Sequence, residues 1–464
     1  MNERGFITPA LLIITGAFLV VIYGLLLVLT LQFDYSNRQV GSDQSLHVAE
    51  AGVNYYRWHL AHDPTDYKDG QAGNGPYEHE YTDPQGSPIG KYSLTITPPS
   101  AGSSIVTIAS VGWTYQYPKV KRTVIVQYGR PSFTQYAFLQ NSSSWYAAGV
   151  TVNGKIHSNN GIRMDGTNLS LVTSAQEDYQ CGSETGCSPP TKKDGVWGAG
   201  GDKGLWQFPV VPIDFDTITF DLAQMRNTSQ TQGLYLAPST KKGYHIIFNG
   251  DGSYTVKKVL TISKVQGYQV PGVGLGQQGQ GGCRDRDMVI ASESIIGNYT
   301  ISDKPLIFVE DNVWVEGQVK GRVTVASASF PIGSSNVDTW IPNNITYTTY
   351  DGTDVLGLIS QNNLYFTRDI PDDFRLDAVL MSQNGAIIRH GYISSCNPGA
   401  WSIKNSLTMN GAVINYDKSY WNWGDPLESG FRTRTINYDT HILYAPPPYF
   451  PTSGEYQFIS WRED

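Results

Sequence analysis

Charged side chains are scarce in this chain. They make up 16% of 464 residues, with 33 Lys and Arg against 41 Asp and Glu. The net charge of −8 excludes a general nucleic-acid surface, which needs clustered cations to meet phosphates. Lys119, Lys121 and Arg122 form the nearest thing to a basic strip, and they read as a solvated strand edge. Histidine (8) and cysteine (4) are equally sparse. Cys181 and Cys187 lie in CGSETGC with no His nearby and no second close pair, so a zinc site is not expected and a small disulfide-closed loop is. Cys283 and Cys396 stand alone and could pair with each other, although sequence leaves the connectivity open. An even cysteine count on an exported chain favours an oxidising compartment. No GxSxG nucleophile motif occurs. Asp251 in NGDGSY lacks the remaining oxygen ligands of a calcium loop and reads as a hairpin turn. GVGLGQQG (272–279) lacks the strand-to-helix setting of a dinucleotide site. No metal and no cofactor are therefore expected.

Turn and strand formers are abundant, with 48 Gly and 29 Tyr, and they predict a β-dominated body. The N-terminus is the exception. From Phe6 to Leu31 there is no charged side chain, and a helix of that length exceeds the roughly 30 Å hydrocarbon layer. The run is too long for a secretory signal. It continues into QSLHVAEAGVNYYRWHL, where Leu46, Ala49, Val53, Tyr56 and Leu60 fall at three- and four-residue steps. One long helix is predicted to leave the membrane and lay a stripe against a head. Arg4 before the span and Asp34 after it place the N-terminus inside and the head outside a cytoplasmic membrane, single-pass.

These residues resemble the type IV pilin family. MNERG-FITPALL is similar to a prepilin leader: a short polar stretch, a basic residue, Gly, then Phe opening the apolar helix. The resemblance implies cleavage by a prepilin peptidase between Gly5 and Phe6, then methylation of the new amino group. AEAG (49–52) looks like the end of the N-terminal region of PilX-like minor pilins. Major pilins carry Glu at the fifth mature position, where this chain has Ala10. In the family that Glu is thought to neutralise the amine of an adjacent subunit, since an unpaired charge is costly in lipid or a packed helix core. Its loss puts bulk polymerisation in doubt and fits a tip subunit. The partners implied are other pilins or minor pilins, prepilin peptidase, membrane lipid before assembly and a surface ligand, with no nucleic acid. The resemblance covers about the first sixty residues.

Beyond Leu60, the segment 62–90 is rich in Gly, Pro and Asp and reads as a loop. KYSLTITP (91–98), SIVTIASVGWTYQY (104–117) and KVKRTVIVQY (119–128) alternate as strands with one face on the helix. Farther on, VNGKI (152–156), VEGQV (315–319) and MNGAV (409–413) share a pattern of apolar, polar, Gly, any, apolar. Short strands with Gly/Asn turns suit a parallel β-solenoid, whose coils stack and whose Asn side chains can form ladders. A β-sandwich would show similar strands. HSNNGI and DVLGLISQNNLYF resemble segments of β-helical heads of large PilX-like proteins. Residues 215–230 carry the best helical spacing in the head, through Phe220, Leu222 and Met225. Residues 178–206 and 265–284 read as Gly-rich loops, and APPPYFPTSG as an extended cap-like segment.

The expected fold is mainly β with a long N-terminal transmembrane helix. The expected order is a leader (1–5), a membrane and amphipathic helix (6–62), a pilin-like α+β neck (63–133), a β-solenoid head (134–445) and a C-terminal tail (446–464). Asp372, Asp373, His390 and Lys404 superficially follow the order of polygalacturonase motifs. Ser402 stands where Arg is expected and no Asn-Thr-Asp precedes, so catalysis is not expected. The leading function is a minor pilin-like component that primes or caps a filament, with location on the pilus or cell surface after assembly. The alternatives are a solitary membrane-anchored binding or adhesion protein and a β-helical carbohydrate-active enzyme.

Overall fold

A computed structural model describes residues 7–99, 103–130, 132–215, 217–269, 282–396, 402–424, 426–443, 445–451 and 456–463. The chain divides into two compact units, residues 1–99, 105–130 and 455–464 in one and 100–104 and 131–454 in the other.

The first unit, the neck, begins with helix α1, Ile7–His62. No proline interrupts it after Pro9, so its 56 residues run on for about 84 Å. Four strands follow: β1 (Tyr77–Thr82), β2 (Pro88–Thr97), β3 (Ile105–Thr114) and β4 (Arg122–Gly129). They form an antiparallel sheet in sequence order, and Gln457–Glu463 adds a fifth antiparallel strand beside β4. The alternation in β3 is strict, and its inward residues Val106, Ile108 and Ser110 are fully buried. They meet Val48, Ala49, Val53, Tyr56 and Leu60 of α1. Two expectations change here. The stretch read as a loop over 62–90 contains β1, whose Tyr77 and Tyr81 are spaced to face the core while Gly and Asp turns flank it. The C-terminal segment read as a tail supplies the fifth strand, because QFISWRE can satisfy the otherwise unpaired edge of β4.

The second unit, the head, is mostly parallel. Its strands form a 21-stranded sheet whose rungs pair in register. This parallel pairing excludes the sandwich alternative, whose sheets are antiparallel. The rungs are not stacked in chain order. Strand Gly243–Asn249 stacks on Val313–Val319, and Arg322–Ser327 stacks on Val355–Ser360. Asp373–Ser382 then stacks on Ile403–Asn415. The next rung is shared by the two ends of the head. Gly430–Tyr438 pairs with the first part of Ile403–Asn415, and Phe138–Gln140 pairs with its last three residues. Beyond it lie Val150–Asn153 and Ile156–Ser158, then Thr167–Asn168 and Val172–Ser174, then Trp206–Gln207. The chain thus enters and leaves the stack at one internal rung.

Residues 208–233 return from one end of the stack to the other, and include helix α2, Thr217–Gln232. Leu222 and Met225 of α2 are buried in a core with Leu306, Phe308, Val355, Val379 and Ile414. The crossover is held by Asn159, whose Oδ1 accepts from Ile213 N at 2.8 Å and whose Nδ2 donates to Ile213 O at 2.7 Å. A second core fills the interior, from Val152 and Ile156 through Val315, Leu358 and Leu380 to Val413.

The two segments read as Gly-rich loops both contain hairpin strands among their described residues; 270–281 lie outside those residues. Asp178–Cys181 pairs antiparallel with Thr191–Asp194. Ser253–Gln269 pairs with Gly282–Thr300 in a long hairpin with several register shifts. Those bulges break the alternation that would have marked it as strand. GVGLGQQG lies outside the described residues.

Candidate functional site

Helix α1 has two chemically different halves. From Leu11 to Leu31 every apolar side chain is exposed, with Leu12 71% and Val20 73% accessible. The helix is long and apolar enough to cross a membrane. Two of its hydroxyls are satisfied internally: Thr15 Oγ1 donates to Leu11 O at 2.7 Å and Thr30 Oγ1 to Leu27 O at 2.9 Å. Gly5 and Phe6 lie outside the described residues. Ala10 lies within α1.

The second half is seated on the neck sheet by small residues. A Cβ on Gly112 of β3 would fall 2.3 Å from Ala49 N and 2.4 Å from Ser45 O, so helix backbone rests directly on sheet backbone. Gly52 lies equally close to Ser110 Oγ and the Tyr92 ring. Ala49 and Gly52 of AEAG are therefore contact residues. Ser45 Oγ donates to Val120 O at 2.8 Å, and Arg122 Nη1 to Ser42 Oγ at 3.1 Å.

The end of α1 is tied to the following loop by two acids. Asp66 accepts from Lys68 N at 2.7 Å and Gly70 N at 2.5 Å, and contacts His59 Nε2 at 2.9 Å. The Lys68 and Gly70 amides, with His59, hold its carboxyl below the usual range against the opposing effect of burial. Asp69 contacts His79 Nε2 at 2.6 Å and accepts from Tyr55 OH at 3.1 Å. Burial, reinforced by the Asp69 charge and hydrogen bond, pushes the Tyr55 hydroxyl up to about 12.

In the head, Cys181 is bonded to Cys187 and Cys283 to Cys396. The first bridge closes the turn of the 178–194 hairpin. The second joins the long hairpin to the segment after Ile387–Arg389, 113 residues away in sequence.

Of the polygalacturonase-like residues, Asp372 and Lys404 pair with each other, while Asp373 and His390 have other partners. Asp372 Oδ1 pairs with Lys404 Nζ at 3.1 Å, and Asp373 Oδ1 accepts from Ser406 Oγ at 2.7 Å. His390 is fully buried and stacked on Tyr365 at 4.9 Å. Burial, with Arg286 and Arg389 adding to it, draws its pKa down to about 3. Asp251 accepts from Ser253 N at 2.8 Å in a hairpin turn. Among the described residues no group of three or more His, Cys, Asp or Glu is placed to hold a metal.

Two polar columns run along the stack. One is the ladder Asp377, Asn410, Asn437, Asn153. Asn410 Nδ2 donates to Asp377 at 2.6 Å, Asn437 Nδ2 to Asn410 at 3.1 Å and Asn153 Nδ2 to Asn437 at 2.9 Å. Two of its members belong to the Asn-Gly motifs. Gly411 beside it has φ +145°, and a Cβ there would meet Ala378 O at 2.0 Å; Gly317 has φ +110° and would meet Phe248 O at 2.2 Å. The pattern therefore marks positions where one rung passes too close to the next for a side chain.

The second column was missed in the sequence. Ser327, Ser360, Ser382, Asn415, Gln140, Ser158 and Ser174 pair in register from rung to rung, all buried. Each ends a short apolar run, and in LISQNN, LMSQNG and IHSNNG it is followed by Gln or Asn. That local repeat was the available signal.

No protein-family model matches the chain. No curated protein matches it either. Among solved structures it is similar to the competence-associated pilin ComZ from Thermus thermophilus, at 13% identity and a TM-score of 0.30, over 91% of this chain and 97% of that one. A similarity of that size decides neither fold nor function.

Proposed function

We propose that the chain is a pilin-like, membrane-anchored subunit of a type IV filament that presents the β-rich head outside the cell. The observation that supports this reading most is α1: one unbroken helix, apolar and exposed in its first half and seated on an antiparallel sheet in its second. The prepilin-like junction at Gly5 and Phe6 points the same way. In this reading lipid covers residues 11–31 before assembly, and neighbouring pilin helices cover them afterwards. Ala10 in place of Glu favours a priming or capping position at the tip, with no subunit ahead to pair with. The head acts by binding and not by catalysis.

Sequencing the N-terminus of membrane-extracted protein from a host with prepilin peptidase tests the processing step. A chain starting at Phe6 supports it, and one still starting at Met1 sinks it. Labelling the head and imaging filaments tests the position. Label at filament ends supports the tip role, and uniform label along shafts overturns it. Ala10→Glu gives the complementary reading: more of this subunit in filaments would mean that the residue limits polymerisation.

The second reading, a solitary surface protein using the helix only as an anchor, also draws on Ala10. It predicts full surface display in a strain lacking the assembly ATPase.

A further inference from the structure

The shared rung, where the head's two ends meet, encloses a cavity of about 60 Å³. Its walls include Phe138, Tyr146 and Trp421, which are apolar or nearly so, together with Gln140, Lys418 and Arg434. Lys418 is 9% exposed, and its Nζ has no hydrogen-bond partner. Its recorded contact is the face of Tyr420, 5.3 Å away. Gln140 is 3% exposed. Its Nε2 donates to Asn415 Oδ1 at 3.4 Å within the polar column, which leaves its Oε1 without a donor. Arg434, half-buried on Gly430–Tyr438, forms no ion pair among the described residues. A buried cation left alone is strongly destabilising, and a buried carbonyl without a donor costs about 1–3 kcal/mol. One such cation, Lys418, and one such acceptor, Gln140 Oε1, with the half-buried guanidinium of Arg434 beside them on a single cavity, are a receptor for a complementary group.

We infer that this cavity binds a hydroxycarboxylate: the carboxylate lies against Lys418 and Arg434, and the hydroxyl donates to Gln140 Oε1. Arg presents a planar fork that suits a carboxylate, and Lys adds a point charge. The apolar walls suit a monoanion with a carbon body better than a phosphate. The group is either a small free hydroxy acid or the acid end of a uronate-type sugar residue. This inference stands whether or not the helix assembles into filaments.

The charge environment supports it. Burial draws Lys418 down to about 8, with Glu184 opposing, and draws Arg434 down to about 10. The Asp417 carboxylate accepts from the Lys418 backbone N–H at 3.2 Å. Tyr146 and Tyr420 are pushed above their ordinary range by burial and stay neutral. Lys418 is therefore the group that titrates, and an anion should bind best below pH 8 and lose up to about tenfold per pH unit above it.

The test titrates lactate, galacturonate, propionate and inorganic phosphate into the full chain in detergent micelles, read by calorimetry and tryptophan fluorescence. Saturable binding of lactate, galacturonate or both is expected, weaker for propionate, which lacks the hydroxyl. Lactate alone identifies a free hydroxy acid; galacturonate alone identifies a sugar acid. Lys418→Met and Arg434→Gln should each weaken binding at least about tenfold. Lys418→Met should also leave the unligated melting temperature unchanged or raised, since it removes an unpaired buried charge. If Lys418→Met proves poorly folded, Arg434→Gln alone decides. The inference is overturned if neither hydroxy acid binds by about 10 mM, if phosphate binds as tightly as lactate, or if wild-type affinity survives in the folded variants.

Discussion

Neck and head both bury a sheet face, but the first four neck strands pair with neighbours in sequence, whereas the head's central rung joins distant parts of the chain. In the neck, β1 to β4 pair in order and α1 covers them. In the head, Phe138 sits against Val413, and Val150 against Arg434. Strands β1 to β4 can be assembled one hairpin at a time, and only the neck's fifth strand arrives from far along the chain. The head's central rung exists only when residues some 300 apart have met, which raises the loop-closure cost and slows folding. The two regions should therefore respond differently to the same kinds of damage.

The largest effects are expected from adding side chains where backbones touch. Gly411→Val should cost several kcal/mol, since it adds strain at a positive φ to a clash with Ala378 O. Gly112→Val should cost a similar amount in the neck by lifting α1. In thermal unfolding followed by circular dichroism, the first should remove the head's strand signal and spare the neck. The second should do the reverse. If both variants lose both signals together, the two regions fold as one, and the contrast between them fails.

Next comes the long-range disulfide. Replacing Cys283 and Cys396 by Ser reopens a loop closed across 113 residues and should destabilise the head by about 2–4 kcal/mol. Removing the Cys181–Cys187 bridge, with a separation of 6, should cost less. Denaturant titration of the two double variants ranks them; the opposite ranking would mean that strain or local packing outweighs loop length.

Asn410→Ala interrupts the ladder between Asp377 and Asn437 and should cost about 1–3 kcal/mol. Asn410→Ser, which puts a hydroxyl in place of the amide, should recover part of the loss. A neutral Asn410→Ala would show that water replaces the amide.

The smallest effect is in the neck and depends on pH. Asp66 is held below its ordinary value by the Lys68 and Gly70 amides and by His59. Its contribution is present above the unfolded value of about 3.9 and is lost as pH falls through the lower folded value. Neck stability should fall at the acid end of a pH series, and Asp66→Asn should flatten that fall. An unchanged acid slope would assign it to other carboxylates.

The neck was legible because its signals have fixed periods. Leu46, Ala49, Val53, Tyr56 and Leu60 recur every three or four residues, and β2 to β4 alternate. Helix α2 was visible through Leu222 and Met225 for the same reason. In the head, the Asn-Gly motifs announced close stacking, but the serine column contributes one residue per rung at uneven intervals, so periodicity misses it and only the local Ser-Gln/Asn repeat marks part of it. Nor could periodicity reveal that Gly430–Tyr438 and Phe138–Gln140 complete one rung. The cavity residues followed the same fate, since Gln140, Lys418 and Arg434 are unremarkable until that rung closes.

The fifth neck strand has a consequence for biosynthesis. Gln457–Glu463 is made after the whole head, yet it covers the edge of β4. The growing chain therefore carries an open β4 edge throughout synthesis of the head, until this strand arrives. A stop anywhere in the head leaves that edge unpaired, so damage to the head's translation is felt as an open strand edge in the neck.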